Sequence, residues 1–192
     1  MTVRNAPSDG ISRVRFAKHN KRFLVASSWD KSVRVFDVSA NETVLMHSFS
    51  APVLDAVLSD SAGSVFCGGL DKQVHMLDLQ RQGGAVQSVG SHDGAVRCVE
   101  LAAAVGGVVT GGWDAACLLW DVRSSSKQMG RAELPGKALS MSVRDWRVLV
   151  GCSPSKIAVY DLRRFGMPIE VRESPLKHQI RSVGCFPDNQ VQ

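Results

Sequence analysis

No stretch of this 192-residue sequence approaches the roughly 18 consecutive apolar residues that a membrane helix requires, and residues 1–10 carry no apolar core of the kind a secretory signal has. The chain therefore reads as globular, soluble and kept inside the cell. Its five cysteines, Cys67, Cys98, Cys117, Cys152 and Cys185, form no CxxC pair and have no histidines at zinc spacing. That pattern argues against a disulfide framework and a metal site, and reads all five as small buried hydrophobes. No run of five basic residues occurs. The formal charge of +5 is spread along the chain, which favours acidic partners without marking a nucleic-acid-binding protein. A Gly-rich phosphate loop, HExxH, GxSxG and a carboxylate pair set apart by placement are all missing, so neither catalysis nor a cofactor is expected. The glycine pairs Gly83–Gly84 and Gly106–Gly107 read as connections, and GLDK and GGWD as turns.

What is present is an apolar fraction of 44%, enough for a core, and a repeat. SSWDKSVRVFDV (27–38), GGLDKQVHMLDL (68–79) and GGWDAACLLWDV (111–122) align, each with two aspartates seven residues apart. The second aspartates, Asp37, Asp78 and Asp121, recur at 41 and 43 residues, and a degenerate copy, SPSKIAVYDL (153–162), places Asp161 40 residues further on. That period is the one found in WD repeats. Within a copy, short runs such as ISRVRF, FLVASSW, SVRVFDV and TVLMHSF are separated by Gly, Ser, Asp and Asn, and Val33 and Val35 alternate with Arg34. The period of two predicts strands. No copy offers ten residues with apolar spacing of three and four, which excludes a helical repeat.

Such a unit cannot bury its own faces, so the expected fold is all-β: a WD40 β-propeller of four four-stranded blades plus the start of a fifth. The repeats are placed at 9–49, 50–90, 91–133 and 134–171, with the fifth beginning at 172–192. A seven-bladed ring at about 41 residues per blade needs roughly 290 residues, so the chain reads as the N-terminal part of an incomplete seven-bladed propeller, or as a truncated gene product. In the third copy, His92, Thr110, Asp114 and Trp120 resemble the Asp-His-Thr-Trp hydrogen-bond network of WD repeats, a structural role and not a catalytic dyad.

Trp29 and Trp113 share one slot, immediately before the turn aspartate, which a blade presents on its loop-rich rim. The core aromatic slot is a different one, filled by Phe36, Leu77, Trp120 and Tyr160. Tryptophans repeated at a rim suit an interface; the plainer alternative is that each caps its own blade. Arg97 and Arg181 also share a slot, the second residue of the first strand, where other copies carry Ser12 and Leu54. A guanidinium there suits bidentate pairing with a glutamate.

DGISRVRF, SSWDKSVRVFDV, HDGAVRCVE and above all RESPLKHQIR (172–181) resemble the Bub-three/Rae/Gle branch of the WD repeats, over essentially all of the chain. The resemblance implies a non-catalytic scaffold that binds a short Glu-containing segment, the GLEBS motif, across the top of the propeller. The opening motifs favour a mitotic spindle-checkpoint member, with checkpoint kinases as partners and a place in the nucleus and at kinetochores. ESPLKHQ equally suits the alternative, an mRNA-export adaptor binding a nucleoporin at the nuclear pore. The resemblance singles out Arg181. Lys177 and Gln179 would supply further donors beside it, unless Lys177 is a solvated loop charge, and Glu173 would orient the loop, unless it is a plain surface carboxylate. In this family the phosphorylated repeats of a kinetochore scaffold are held partly by an arginine in a Gly-Arg-Val-Ala strand. That segment lies beyond Gln192, so this partner is in doubt for the chain. Ubiquitin, membrane and direct DNA binding are not indicated; RNA binding through the basic surface is a third reading, one that fits the export relative.

Overall fold

Valine, leucine and alanine runs of six or seven residues, punctuated by aspartate and serine, give a ladder of short strands whose middle members are apolar on both faces. The computed structural model describes residues 5–80, 85–123 and 127–186, which fall into two compact units, one ending at Ser91 and one beginning at His92. In the first unit, β1 (Ile11–Phe16), β2 (Phe23–Ser28), β3 (Ser32–Asp37) and β4 (Glu42–Ser48) form one sheet; β5 (Val53–Leu58), β6 (Ser64–Gly69), β7 (Gln73–Asp78) and β8 (Ala85–Ser91) form another. The second unit repeats the plan. β9 (Val96–Ala102), β10 (Gly107–Gly112), β11 (Ala116–Asp121) and β12 (Lys127–Glu133) make its first sheet. β13 (Ala138–Arg144), β14 (Arg147–Cys152), β15 (Lys156–Asp161) and β16 (Pro168–Glu173) make its second. All pairings are antiparallel and follow chain order, and among the described residues the only helices are single 3₁₀ turns at Ala103–Val105 and Leu162–Arg164. No helix among the described residues is long and apolar enough to cross a membrane.

The period-two alternation locates the strands but leaves open whether both of their faces are covered. Arg34, which alternates with Val33 and Val35, is buried and not in solvent: its guanidinium donates to Asp30 Oδ2 at 2.9 Å and to the Asn5 carbonyl at 2.8 Å. The middle strands are covered on both sides, because in each unit the first strand of the second sheet packs on the first sheet: β5 against β1 and β2, and β13 against β9 and β10. Val33, Val65 and Leu77 are wholly buried in one core, Ala102, Val150 and Tyr160 in the other. A buried carboxylate crosses the first interface, Asp55 on β5 meeting Arg15 of β1 at 3.1 Å.

Both aspartates of each repeat act on the backbone. The first closes the β2–β3 type hairpin by accepting the N–H two residues on: Ser32 for Asp30 (2.9 Å), Gln73 for Asp71 (3.2 Å) and Ala116 for Asp114 (3.2 Å). The intervening residues Lys31, Lys72 and Ala115 take φ of 69°, 67° and 58°. That left-handed conformation costs a non-glycine residue roughly 1 kcal/mol, which the carboxylate bonds offset. The second aspartates do the same after the third strand, Asp37 accepting from Ser39, Asp78 from Gln80, Asp121 from Arg123 and Asp161 from Arg163. GLDK and GGWD are turns only in part, since Gly69 ends β6 and Gly111 and Gly112 end β10. Gly106 caps a 3₁₀ turn at φ 64°, but Gly107 opens β10 and is no connection, because its backbone is already paired with Ala102 and Asp121. Gly83 and Gly84 lie outside the described residues. Four cysteines are buried as expected; Cys185 is only half-buried, in a segment outside the strands, its amide donating to Ser142 Oγ at 3.2 Å.

Burial pushes the Asp30 carboxyl up, but bonds from the Ser32 side chain, the Ser8 and Ser32 amides and Ser28 together outweigh it and hold the group at about 2, below its ordinary 3.8. A depressed carboxylate stabilises the fold fully above the unfolded value, and the contribution is lost as pH falls through the folded one. Asp30→Asn should therefore lower stability at neutral pH by about 2 kcal/mol and flatten the loss of stability between roughly pH 4 and 2. Urea titrations of both proteins across that range check this.

Candidate functional site

The turn before β11 is fixed by a directed chain of hydrogen bonds. Trp120 Nε1 donates to Thr110 Oγ1 at 2.8 Å, Thr110 Oγ1 lies 2.8 Å from His92 Nε2, and His92 Nδ1 lies 3.0 Å from Asp114 Oδ2. Each donor is used once only if His92 is neutral with its proton on Nδ1, which leaves Nε2 to accept from the Thr110 hydroxyl. Burial lowers the His92 pKa, opposed by the Asp114 charge, in keeping with a neutral ring. Gly112 makes the pair possible: a Cβ there would stand 2.1 Å from Asp114 Oδ1 and 2.6 Å from His92 Nδ1. His75 supports the equivalent carboxylate, Asp71, at 2.7 Å, as Arg34 supports Asp30.

On the rim, four residues hold one backbone position. The amides of Trp29, Leu70, Trp113 and Ser153 donate to the carbonyls of Gly10, Pro52, Ala95 and Lys137, each just before the first strand of its sheet. The equivalence of Trp29 and Trp113 is thus geometric; they are 46% and 37% exposed. The first-strand slot has a physical identity as well. In every sheet the ladder skips it: Ser12, Leu54, Arg97 and Leu139 are each the extra residue of a β-bulge. A bulge frees a side chain from the pleat and re-aims it, a device common beside binding sites.

In the second unit these slots converge. Arg97, Trp113, Leu139, Gln179, Ile180 and Arg181 line one open cleft of about 280 Å³. Among the described residues neither Arg97 nor Arg181 has an ion pair or hydrogen bond, so the cleft presents two guanidiniums, an indole and an amide above an apolar floor. Guanidiniums of this kind are suited to pairing with a carboxylate, and an indole over an apolar floor to covering an apolar side chain. Trp29 belongs to the first unit. Lys177 and Glu173 are exposed and line no part of the cleft; Glu173 ends β16 opposite Lys156. Arg181 was expected on a first strand, yet the chain from Ser174 to Phe186 forms none, because no described strand supplies it with a ladder. It is held instead through Ile180, which is buried against Gly151. Sequence reasoning missed Leu139 and Ile180. The signal for Leu139 was present, since it occupies the slot of Ser12, Leu54 and Arg97. No group of three residues able to hold a metal occurs among the described residues.

The profile of the WD domain, G-beta repeat family matches residues 2–37 and 83–121. Mitotic checkpoint protein BUB3.1 of Arabidopsis thaliana is 40% identical over 188 residues, covering 96% of this chain and 54% of that protein. Mitotic checkpoint protein bub-3 of Caenorhabditis elegans is 35% identical over 182 residues, 92% of this chain and 52% of its own. The mRNA export factor GLE2 of Chaetomium thermophilum is 33% identical over 192 residues, 96% and 53% respectively. The chain spans about half the length of the curated relatives it matches.

The hydrogen-bond chain should be sensitive at its middle. Thr110→Val leaves the Trp120 N–H and His92 Nε2 buried without a partner and is expected to cost about 2–3 kcal/mol, whereas Trp120→Phe removes one donor and leaves no orphan on its own side. If chemical denaturation finds Thr110→Val no more destabilising than an exposed substitution such as Ser91→Ala, the chain does not hold this turn.

Proposed function

Since this chain belongs to the WD-repeat proteins, we propose that it is a non-catalytic interaction scaffold whose cleft at Arg97, Trp113, Gln179 and Arg181 binds a Glu-containing peptide of the GLEBS type. The observation that supports this is the cleft itself. Two arginines with no carboxylate partner among the described residues stand beside a half-exposed tryptophan, and one of them is aimed by a bulge. Arginine and tryptophan dominate binding energy at interfaces, and a planar guanidinium pairs a glutamate through two parallel bonds. The similarity to two mitotic checkpoint proteins supports a mitotic checkpoint role, and for it we propose checkpoint kinases as partners and the nucleus and kinetochores as the place of action. A second reading, an adaptor for a nucleoporin in mRNA export, is favoured by the similarity to an mRNA export factor. Trp29, in the same slot as Trp113 on its own blade, is proposed as a peptide-binding residue of its own unit; Lys177 and Glu173 act at the margin of the cleft.

Calorimetry with a GLEBS peptide tests the site. Trp113→Ala, Trp29→Ala and Arg181→Ala should each weaken binding at least roughly tenfold, which corresponds to about 1.4 kcal/mol. Arg163→Ala, whose guanidinium is already paired with Asp161, should change little. Equal affinities for the parent and the Arg181 and Trp113 variants would move the binding surface elsewhere. Titrating checkpoint-kinase and nucleoporin peptides side by side separates the two cellular roles, and a tight, steeply salt-dependent RNA affinity without peptide binding would overturn both.

A further inference from the structure

Ser-Pro pairs occur twice in this chain, in Ser153–Pro154–Ser155–Lys156 and in Ser174–Pro175–Leu176–Lys177, and each has a lysine two residues past the proline. A serine hydroxyl followed by proline, with a basic residue at that spacing, is the substrate pattern of proline-directed protein kinases. The proline also biases the serine before it toward extended backbone, the conformation in which a kinase cleft takes a substrate segment. By composition the two copies are equivalent. Their places in the fold are not.

Ser153 is locked in a hairpin. Its amide donates to the Lys137 carbonyl at 3.0 Å, and its hydroxyl accepts the Lys137 amide at 3.0 Å. The Lys156 that completes its motif lies inside β15, laddered to Cys152 on one side and Glu173 on the other. A kinase could reach this serine only by opening the β14–β15 hairpin. Ser174 is the opposite case: it is the first residue past β16, and from there to Gln179 the chain belongs to no strand, with Pro175 to Gln179 all exposed. Two bonds hold its start, the Ser174 amide donating to the Ser155 carbonyl at 2.7 Å and the Ser174 hydroxyl accepting the Leu176 amide at 3.3 Å. The hydroxyl proton itself goes to no acceptor among the described residues, and Lys177 has no ion pair among them. The next buried point is Ile180, and its neighbours Gln179 and Arg181 line the cleft with Arg97 and Trp113. The accessible Ser-Pro pair therefore sits on the segment that supplies part of the cleft.

We propose that Ser174 is a phosphorylation site for a proline-directed kinase, and that its phosphate lowers the affinity of the neighbouring cleft for a carboxylate-bearing peptide. In the transfer, Ser174 Oγ bonds to the γ-phosphorus of a nucleoside triphosphate held by the kinase and its proton passes to the kinase's general base. The bond from that phosphorus to the β–γ bridging oxygen breaks, and the nucleoside diphosphate leaves with the electron pair. The product places nearly two negative charges three residues before Lys177 and seven before Arg181. A phosphate that draws either cation competes with the glutamate of the peptide and repels it, an effect between exposed groups that salt screens. The regulatory half of the proposal rests on the peptide-binding reading of the cleft; the phosphorylation site does not.

The full 192-residue chain, incubated in its native state with a proline-directed kinase and ATP and then mapped by mass spectrometry, tests the site. Phosphate is expected on Ser174 and not on Ser153, and Ser174→Ala is expected to take up none. Phosphate on Ser153 in place of Ser174, or on neither, would overturn the assignment. Calorimetry of the phosphorylated and unmodified chains with the GLEBS peptide then tests the regulation: binding should weaken at least roughly threefold at low salt, and the difference should shrink as salt is raised. Equal affinities at low salt would overturn the regulatory half alone. An unmodified chain that binds no GLEBS peptide overturns the peptide-binding reading and the regulatory half together, and leaves the Ser174 site decided by the mass map.

Discussion

A single carboxylate in a tight turn, accepting the amide two residues further on, is the contact on which the first three repeats of this protein depend. It allows Lys31, Lys72 and Ala115 to adopt a left-handed backbone without glycine, and so sets where the second strand ends and the third begins. The register of a hairpin follows from its turn, and with a side-chain period of two a slip of one residue would reverse every buried face. A carboxylate drawn into protein also needs a counter-group, and each repeat supplies a different one. Arg34 serves Asp30, His75 serves Asp71, and His92, backed by Thr110 and Trp120, serves Asp114. The fourth sheet lacks the aspartate; there the Ser153 hydroxyl accepts the Lys137 amide at 3.0 Å.

The same turn positions the chemistry at the rim. Fixing Asp114 fixes Trp113, whose amide is tied back to Ala95 at the entrance to β9, and two residues further along, the bulge turns Arg97 out of its ladder. Rim display and turn geometry are therefore one construction, repeated with different side chains. Serine or leucine in the bulge slot leaves the rim neutral, and arginine places a positive charge there. The other end of the blades carries no such pairing of roles, since its side chains come from the β1–β2 and β3–β4 type connections. These vary most between copies, from the Asn-containing turn of the first sheet to the Arg–Asp–Trp–Arg hairpin of the fourth.

Much of this was legible from the residues. The recurrence of two aspartates seven apart located three repeats, and the second aspartate alone marked the degenerate fourth, because turn chemistry is local and needs nothing beyond three or four neighbouring residues. The slots of Trp29, Trp113, Arg97 and the core aromatics followed from alignment of the copies for the same reason. The neutral state of His92 and the direction of its hydrogen-bond chain did not follow, since they depend on which heavy atoms finally meet. Nor did the burial of Arg34, because alternation along a strand says which residues share a face but not whether that face is covered.

The sequence by itself determined the all-β repeat, its period, the identity of its turn residues and the equivalence of positions between copies, all properties carried within about ten residues of chain. Tertiary structure decided which equivalent positions share a surface. Arg97 and Trp113 come from one sheet, Leu139 from the next, and Arg181 from a segment that belongs to no described sheet and is anchored through Ile180 on Gly151. Contacts between residues more than 40 positions apart arise from how sheets pack, through side-chain volumes and bulges that no local pattern encodes. The same packing left Asp55 between Arg13 and Arg15 and set Arg147 between Arg144 and Asp161, arrangements invisible until the strands are paired.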